Sequence, residues 1–247
     1  MKKISFALAI LALSLWNASG AQATPTTIMD NYIGADPTHG YAHVDSIGGT
    51  DFNLTKMVVD ITGRNMKVDI YSELYFNKTL PFENTVLGDL FISTNGLNTP
   101  YPTGGSTNDT MATGEQWEYV AALNSHTATS GSLGLYAVSP TKILQSNLQG
   151  LPEANWIYRS NQEWAYNTTD QNSISTGSWS RANNILTLSI LLPSTWNYAE
   201  YGFHWGMSCG NDIIEGEAPA PVPEPATMLL FGTGLAGLAG FARSRRK

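Results

Sequence analysis

The triplet Pro223-Glu224-Pro225 divides the chain into parts that cannot share one fold. Proline has no N–H to give to a helix or a strand ladder, and it pushes the residue before it into extended backbone. The triplet therefore stands as an extended handle. Beyond it, residues 226–242 make an apolar run of 17 residues, which as a helix reaches about 25 Å, near the short limit for crossing a bilayer. Arg243, Arg245, Arg246 and Lys247 follow, and such a basic cluster holds a C-terminus on the cytoplasmic side. Gly232, Ala236 and Gly240 recur every fourth residue, a spacing that lets membrane helices approach closely. A globular domain must be complete before residue 222.

The other terminus has a matching character. Met1-Lys2-Lys3 is a charged start, residues 4–15 an apolar stretch, and Ala21-Gln22-Ala23 a small-residue cleavage site. These are the three regions of a secretory signal peptide, too short in its apolar part for a membrane span. The sequence thus predicts a signal peptide with a helical core over residues 1–23 and an exported domain over 24–214. A Pro/Ala/Glu linker is expected over 215–221, then a C-terminal unit over 222–247 with a single transmembrane helix.

Val222, Pro223, Glu224 and Pro225, the apolar run and the basic tail resemble the PEP-CTERM sorting signal of Gram-negative bacteria. The resemblance implies recognition and processing by a membrane-embedded exosortase, after passage through the general export machinery and a transient stay in the inner membrane. The region between the termini also resembles a recurrent group of exosortase-sorted surface proteins. The residues that carry this are Tyr32-Ile33-Gly34-Ala35-Asp36, His39-Gly40-Tyr41, Gly88-Asp89-Leu90-Phe91, Gly114-Glu115-Gln116-Trp117, Thr176-Gly177-Ser178-Trp179 and the block from His204-Trp205-Gly206 through Asn211-Asp212 to Glu215-Gly216. That group implies one β-rich surface domain and brings no catalytic assignment.

Charge narrows the partners. Residues 24–222 hold 7 Lys and Arg against 19 Asp and Glu, a net −12. An acidic surface of this kind argues against nucleic acid and against adhesion to anionic lipid. Cys209 is the single cysteine, so no internal disulfide can form despite export.

Short apolar stretches of period two recur between turn-forming clusters. Met66, Val68 and Ile70 alternate with Lys67, Asp69 and Tyr71, and Thr62-Gly63-Arg64-Asn65 joins them to residues 54–61 as a hairpin. Further strands are expected over 89–93, 116–123, 134–138, 185–192 and 200–209. Within the last of these, Tyr201, Phe203, Trp205, Met207 and Cys209 share one face, with Gly202, His204, Gly206 and Ser208 on the other. The pattern predicts an all-β fold, an antiparallel sandwich or jelly roll.

Candidate chemistry is thin. Cys209 and His204 face opposite sides of one strand, which removes a Cys–His pair. No G-x-S-x-G nucleophile elbow is present. Paired carboxylates for glycoside hydrolysis meet in space and leave no mark in sequence. His39 and His43 have zinc-pair spacing, but Pro37 and Gly40 work against the helix that such a pair needs. Asp36, Asp45 and Asp51 lie among glycines, with Asp212 at a strand end. Hard oxygen ligands on such loops suit Ca²⁺, while the same residues also serve as ordinary turn formers. Trp156 and Trp164 sit in a polar stretch with Tyr158 and Tyr166, where exposed rings can stack on sugars. The expected role is a non-catalytic structural or interaction component of an exopolysaccharide matrix. The alternative is a secreted glycan-binding module or glycan-active hydrolase.

Overall fold

A computed structural model describes residues 24–30, 51–97, 110–146, 161–220, 232–234 and 237. The expected signal helix lies outside them. So does most of the expected span; Gly232 to Gly234 and Gly237 are helical and exposed. Among the described residues no helix is long and apolar enough to cross a membrane.

Among those residues, twelve strands account for nearly all regular structure: β1 (Thr26–Met29), β2 (Leu54–Thr62), β3 (Asn65–Ser72), β4 (Leu90–Ser93), β5 (Tyr119–Leu123), β6 (Ser130–Ala137), β7 (Ile143–Gln145), β8 (Glu163–Tyr166), β9 (Ser175–Ala182), β10 (Ile185–Leu191), β11 (Glu200–Gly206) and β12 (Ile213–Pro219). Ten form one sheet in the order β1-β2-β3-β10-β9-β6-β5-β4-β11-β12, and β7 pairs with β8 in a separate hairpin. Every pairing is antiparallel.

The expected all-β antiparallel fold is observed, and in place of a two-sheet sandwich or jelly roll the strands form a single sheet curled nearly shut. The β3–β10 and β6–β9 ladders run without a break between its two halves. The two ends of the strand order, β1 and β12, come together where Ile28 meets Gly216. A Cβ at Gly216 would lie 2.4 Å from Ile28 Cγ2, so glycine is what lets the edges approach. Closure of this kind hides edge strands from other chains.

Alternation explains the interior. Met66, Val68 and Ile70 of β3 point inward, and their partners on β10 are buried with them: Met66↔Ile190, Val68↔Leu188 and Ile70↔Leu186. Leu90, Ile92, Ala121, Leu123, Tyr201, Phe203 and Trp205 face them from the other half, and all belong to one apolar cluster. Each large side chain buried so fully contributes ~1.5–3 kcal/mol. The expected strand over 200–209 ends at Gly206, and Met207 and Cys209, in the turn that follows, are fully buried in the same cluster.

The expected hairpin at 62–65 is present, and a second two-residue turn joins β9 to β10. Gly63, with φ +58°, opens the β2–β3 turn between the paired residues Thr62 and Asn65. Asn183 and Asn184, both at positive φ, make the β9–β10 turn between Ala182 and Ile185, as two-residue hairpin loops require.

One boundary also needs correction. The expected linker at 215–221 is in the sheet as far as Pro219, where β12 pairs with β11 from Ile213↔Gly206 to Pro219↔Glu200. Ala218 and Ala220 are buried, and the Ala220 N–H donates to Ala199 O at 2.9 Å. Proline and small residues suit this place because β12 ends the strand order and Pro219 is its last residue.

Candidate functional site

The outer face of β5-β4-β11-β12 carries a cross-strand row. Val120 lies opposite Phe91, Phe91 opposite His204, and His204 opposite Glu215. The apolar end of the row packs with Trp117 and Tyr166 as a second small core. The polar end is equally buried: His204 is 1% exposed and Glu215 4%.

His204 Nδ1 lies 2.8 Å from Glu215 Oε1, and its Nε2 lies 2.9 Å from the backbone oxygen of Glu163 on β8. Both neighbours accept hydrogen bonds, the carbonyl solely so. Satisfying them places one proton on Nε2 and another on the Nδ1–Oε1 contact. Trp117 and Phe91 close over the ring, with centroids 5.5 and 5.9 Å from it. With both nitrogens engaged, the imidazole holds β8 onto β11 and has no nitrogen left for a substrate. Beside it, Glu115 and Glu163, both 4% exposed, line a cavity of about 20 Å³. That is room for one water and none for a sugar ring.

Asp89 is a second buried tie. It is completely buried; its Oδ1 accepts from Leu123 N and its Oδ2 from Tyr166 N, each at 2.8 Å. Its own N–H donates to Trp164 O at 2.6 Å. One carboxylate thus joins β4, β5 and β8. Burial pushes its pKa up from 3.8 to about 6, against the pull of His126 and of the two backbone N–H groups. The neighbouring Gly88 leaves space for this: a Cβ there would lie 1.8 Å from Gly206 O, and Gly88 O accepts from Trp205 Nε1 at 3.1 Å.

Asp212 and Asp51, two of the four candidate Ca²⁺ ligands, are engaged separately. Asp212 is fully buried and accepts from Leu54 N at 2.6 Å through Oδ2 and from Ile213 N at 2.9 Å through Oδ1. Asp51 pairs with Lys78 at 2.5 Å. Asp36 and Asp45 lie outside the described residues. Among the described residues no group of three His, Cys, Asp or Glu is placed to hold a metal ion. Of the candidate stacking rings, Trp156 is also outside them. Trp164 is half-buried on β8, not on a loop, with its ring 5.5 Å from that of His126. Val222, Pro223, Glu224, Pro225, Arg243, Arg245, Arg246 and Lys247 lie outside as well.

The sequence pattern hides the His204–Glu215 pair because Glu215 begins the Pro/Ala/Glu stretch that reads as a linker, whereas it lies on β12. The signal was present: Ile213-Ile214 ahead of Glu215 is a β-branched start to a strand, and the alternation puts Glu215 on the outer face with His204. Asp89, Asp212, His204 and Glu215 all fall in the blocks that carry the resemblance of the body. Asp89, Asp212 and His204 tie segments that are far apart in the chain, and Glu215 holds His204 from the neighbouring strand.

The family model of the PEP-CTERM protein-sorting motif matches residues 221–247. No curated protein and no solved structure matches the chain. The matched segment begins immediately after Ala220, the last described residue of the β-domain. The chain therefore carries a PEP-CTERM sorting signal, which marks an exosortase-targeted precursor that transits the membrane on its way to the cell surface.

Proposed function

We propose that the exported domain is a non-catalytic structural or interaction component of an exopolysaccharide matrix. The observation that carries this reading is the use of the buried polar groups. The Asp89 and Asp212 carboxylates bind backbone N–H groups, and Glu215 holds His204. A hydrolase needs such groups free to transfer protons beside an open cleft. The sorting motif supplies the address, and the nearly closed sheet supplies a cargo with few free strand edges outside the cell.

Fractionation of the native host tests the reading. The processed chain should be recovered with the extracellular polysaccharide, and a strain lacking it should form a less cohesive matrix. Steady release of reducing ends from that polysaccharide by the pure chain would contradict a non-catalytic role.

A further inference from the structure

Arg181 is the one arginine on the inward-facing row of β9, and it is only 9% exposed. Its Nε donates to Ala128 O at 2.9 Å, and its Nη1 to Phe76 O at 2.8 Å and Lys78 O at 2.7 Å. Three of its five N–H groups are thus spent on carbonyls. Among the described residues, neither N–H of Nη2 has an acceptor and no carboxylate pairs with the guanidinium. A nearly buried cation without a counter-charge is costly, and burial pushes its pKa below the ordinary range of a guanidinium. The domain around it has 19 acids against 7 bases over residues 24–222, so a missing partner does not follow from composition.

The guanidinium borders an open cleft of about 570 Å³, lined also by Asn77, Lys78, Thr79, Thr127 and Thr129. This is the size of a small-ligand site. The three threonines and Asn77 are exposed. Lys78, the second cation, lies 2.5 Å from Asp51 and 4.7 Å from the centre of the Phe82 ring. Buried Phe76 and Leu80 give the cleft an apolar side.

We propose that this cleft binds an acidic sugar unit, with its carboxylate at Arg181 Nη2 and Lys78 Nζ and its ring hydroxyls at Thr79, Thr127 and Thr129. A single negative charge fits better than a phosphate dianion, because Asp51 already stands beside Lys78 and repels added charge. Hydroxyl and amide groups supply the neutral donors and acceptors that a sugar ring needs. The inference deepens the matrix reading and rests on it for the source of the ligand.

Titration calorimetry of the full-length chain in detergent micelles tests the site with three probes: tetragalacturonate, cellotetraose and inorganic sulfate. Tetragalacturonate should bind, and the other two should bind at least about tenfold more weakly. Lys78→Gln, Arg181→Lys and the pair Thr127→Val with Thr129→Val should each weaken tetragalacturonate by about tenfold, the scale of one charge-assisted contact. Lys78 and the threonines stand outside the core, so their variants decide the matter even where Arg181→Lys fails to fold. Equal binding of cellotetraose, equal binding of sulfate, no binding of tetragalacturonate, or unchanged affinity in the Lys78 and threonine variants overturns the proposal. A chain that fractionates with the matrix but ignores tetragalacturonate overturns the site and leaves the matrix reading standing. A chain that binds tetragalacturonate but is absent from the matrix does the reverse.

Discussion

His204 and Glu215 stand directly opposite one another on β11 and β12, with Nδ1 2.8 Å from Oε1 and neither side chain more than 5% exposed. Their contact fastens the last strand of the sheet, and the other ring nitrogen fastens the β7–β8 hairpin above it. Removing one partner leaves a buried polar group unsatisfied. Glu215→Ala is expected to cost about 3–5 kcal/mol, as for broken buried pairs, read from the midpoint of denaturant unfolding. A double-mutant cycle with His204→Phe should return a coupling well above about 0.5 kcal/mol. Additive effects would mean the pair does not hold β12.

Asp89 makes stability depend on pH in the sense opposite to most carboxylates. Its folded-state pKa of about 6 lies above the ordinary 3.8, so the folded chain keeps the proton over a range where the unfolded chain releases it. The stabilisation is fully present below about pH 4 and is lost as pH rises through about 6. At roughly 1.4 kcal/mol per unit, this amounts to about 3 kcal/mol. Unfolding free energies at about pH 4 to 7 should show this decline, and Asp89→Asn should flatten it.

Gly216 sets how closely the sheet can shut. A methyl group placed there meets β-branched Ile28 at 2.4 Å, and a stiff side chain cannot swing clear. Gly216→Ala is expected to destabilise by about 1–3 kcal/mol, measured by thermal or denaturant melts. Adding Ile28→Ala should recover part of the loss. A neutral Gly216→Ala would show that β1 and β12 are not in contact.

The strand cores were legible in the sequence wherever one face was apolar and the other polar. Met66-Val68-Ile70 and Tyr201-Phe203-Trp205 lie inward on β3 and β11 as their alternation dictates. A strand with large apolar side chains on both faces gives no such contrast. On β4, Leu90 and Ile92 face the main core while Phe91 faces the second one. β9 was obscured by its serines, since only Trp179 and Arg181 are buried there. β12 was hidden by Pro219 and its small residues, which at an edge are compatible with a strand. The ties made by Asp89 to Leu123 and Tyr166 and by Asp212 to Leu54 span long stretches of chain, so local pattern could not reveal them.

The Ca²⁺ reading can be tested by melting the chain in EDTA and then in excess Ca²⁺. Asp212 already binds two N–H groups and Asp51 already binds Lys78, so the two melts should coincide. A ligand at about one hundred times its Kd would add about 2.7 kcal/mol. A shift of that size would show that Asp36, Asp45, Asp51 and Asp212 act together after all.

Replacing Pro223, Glu224 and Pro225 by alanine and following the mass and location of the product in the native host tests the central claim most directly. The sorting signal at 221–247 predicts that the altered chain stays uncut in the inner membrane, while the unaltered chain is shortened and reaches the cell surface. A chain that matures to the same mass and arrives at the same place without those three residues would contradict it.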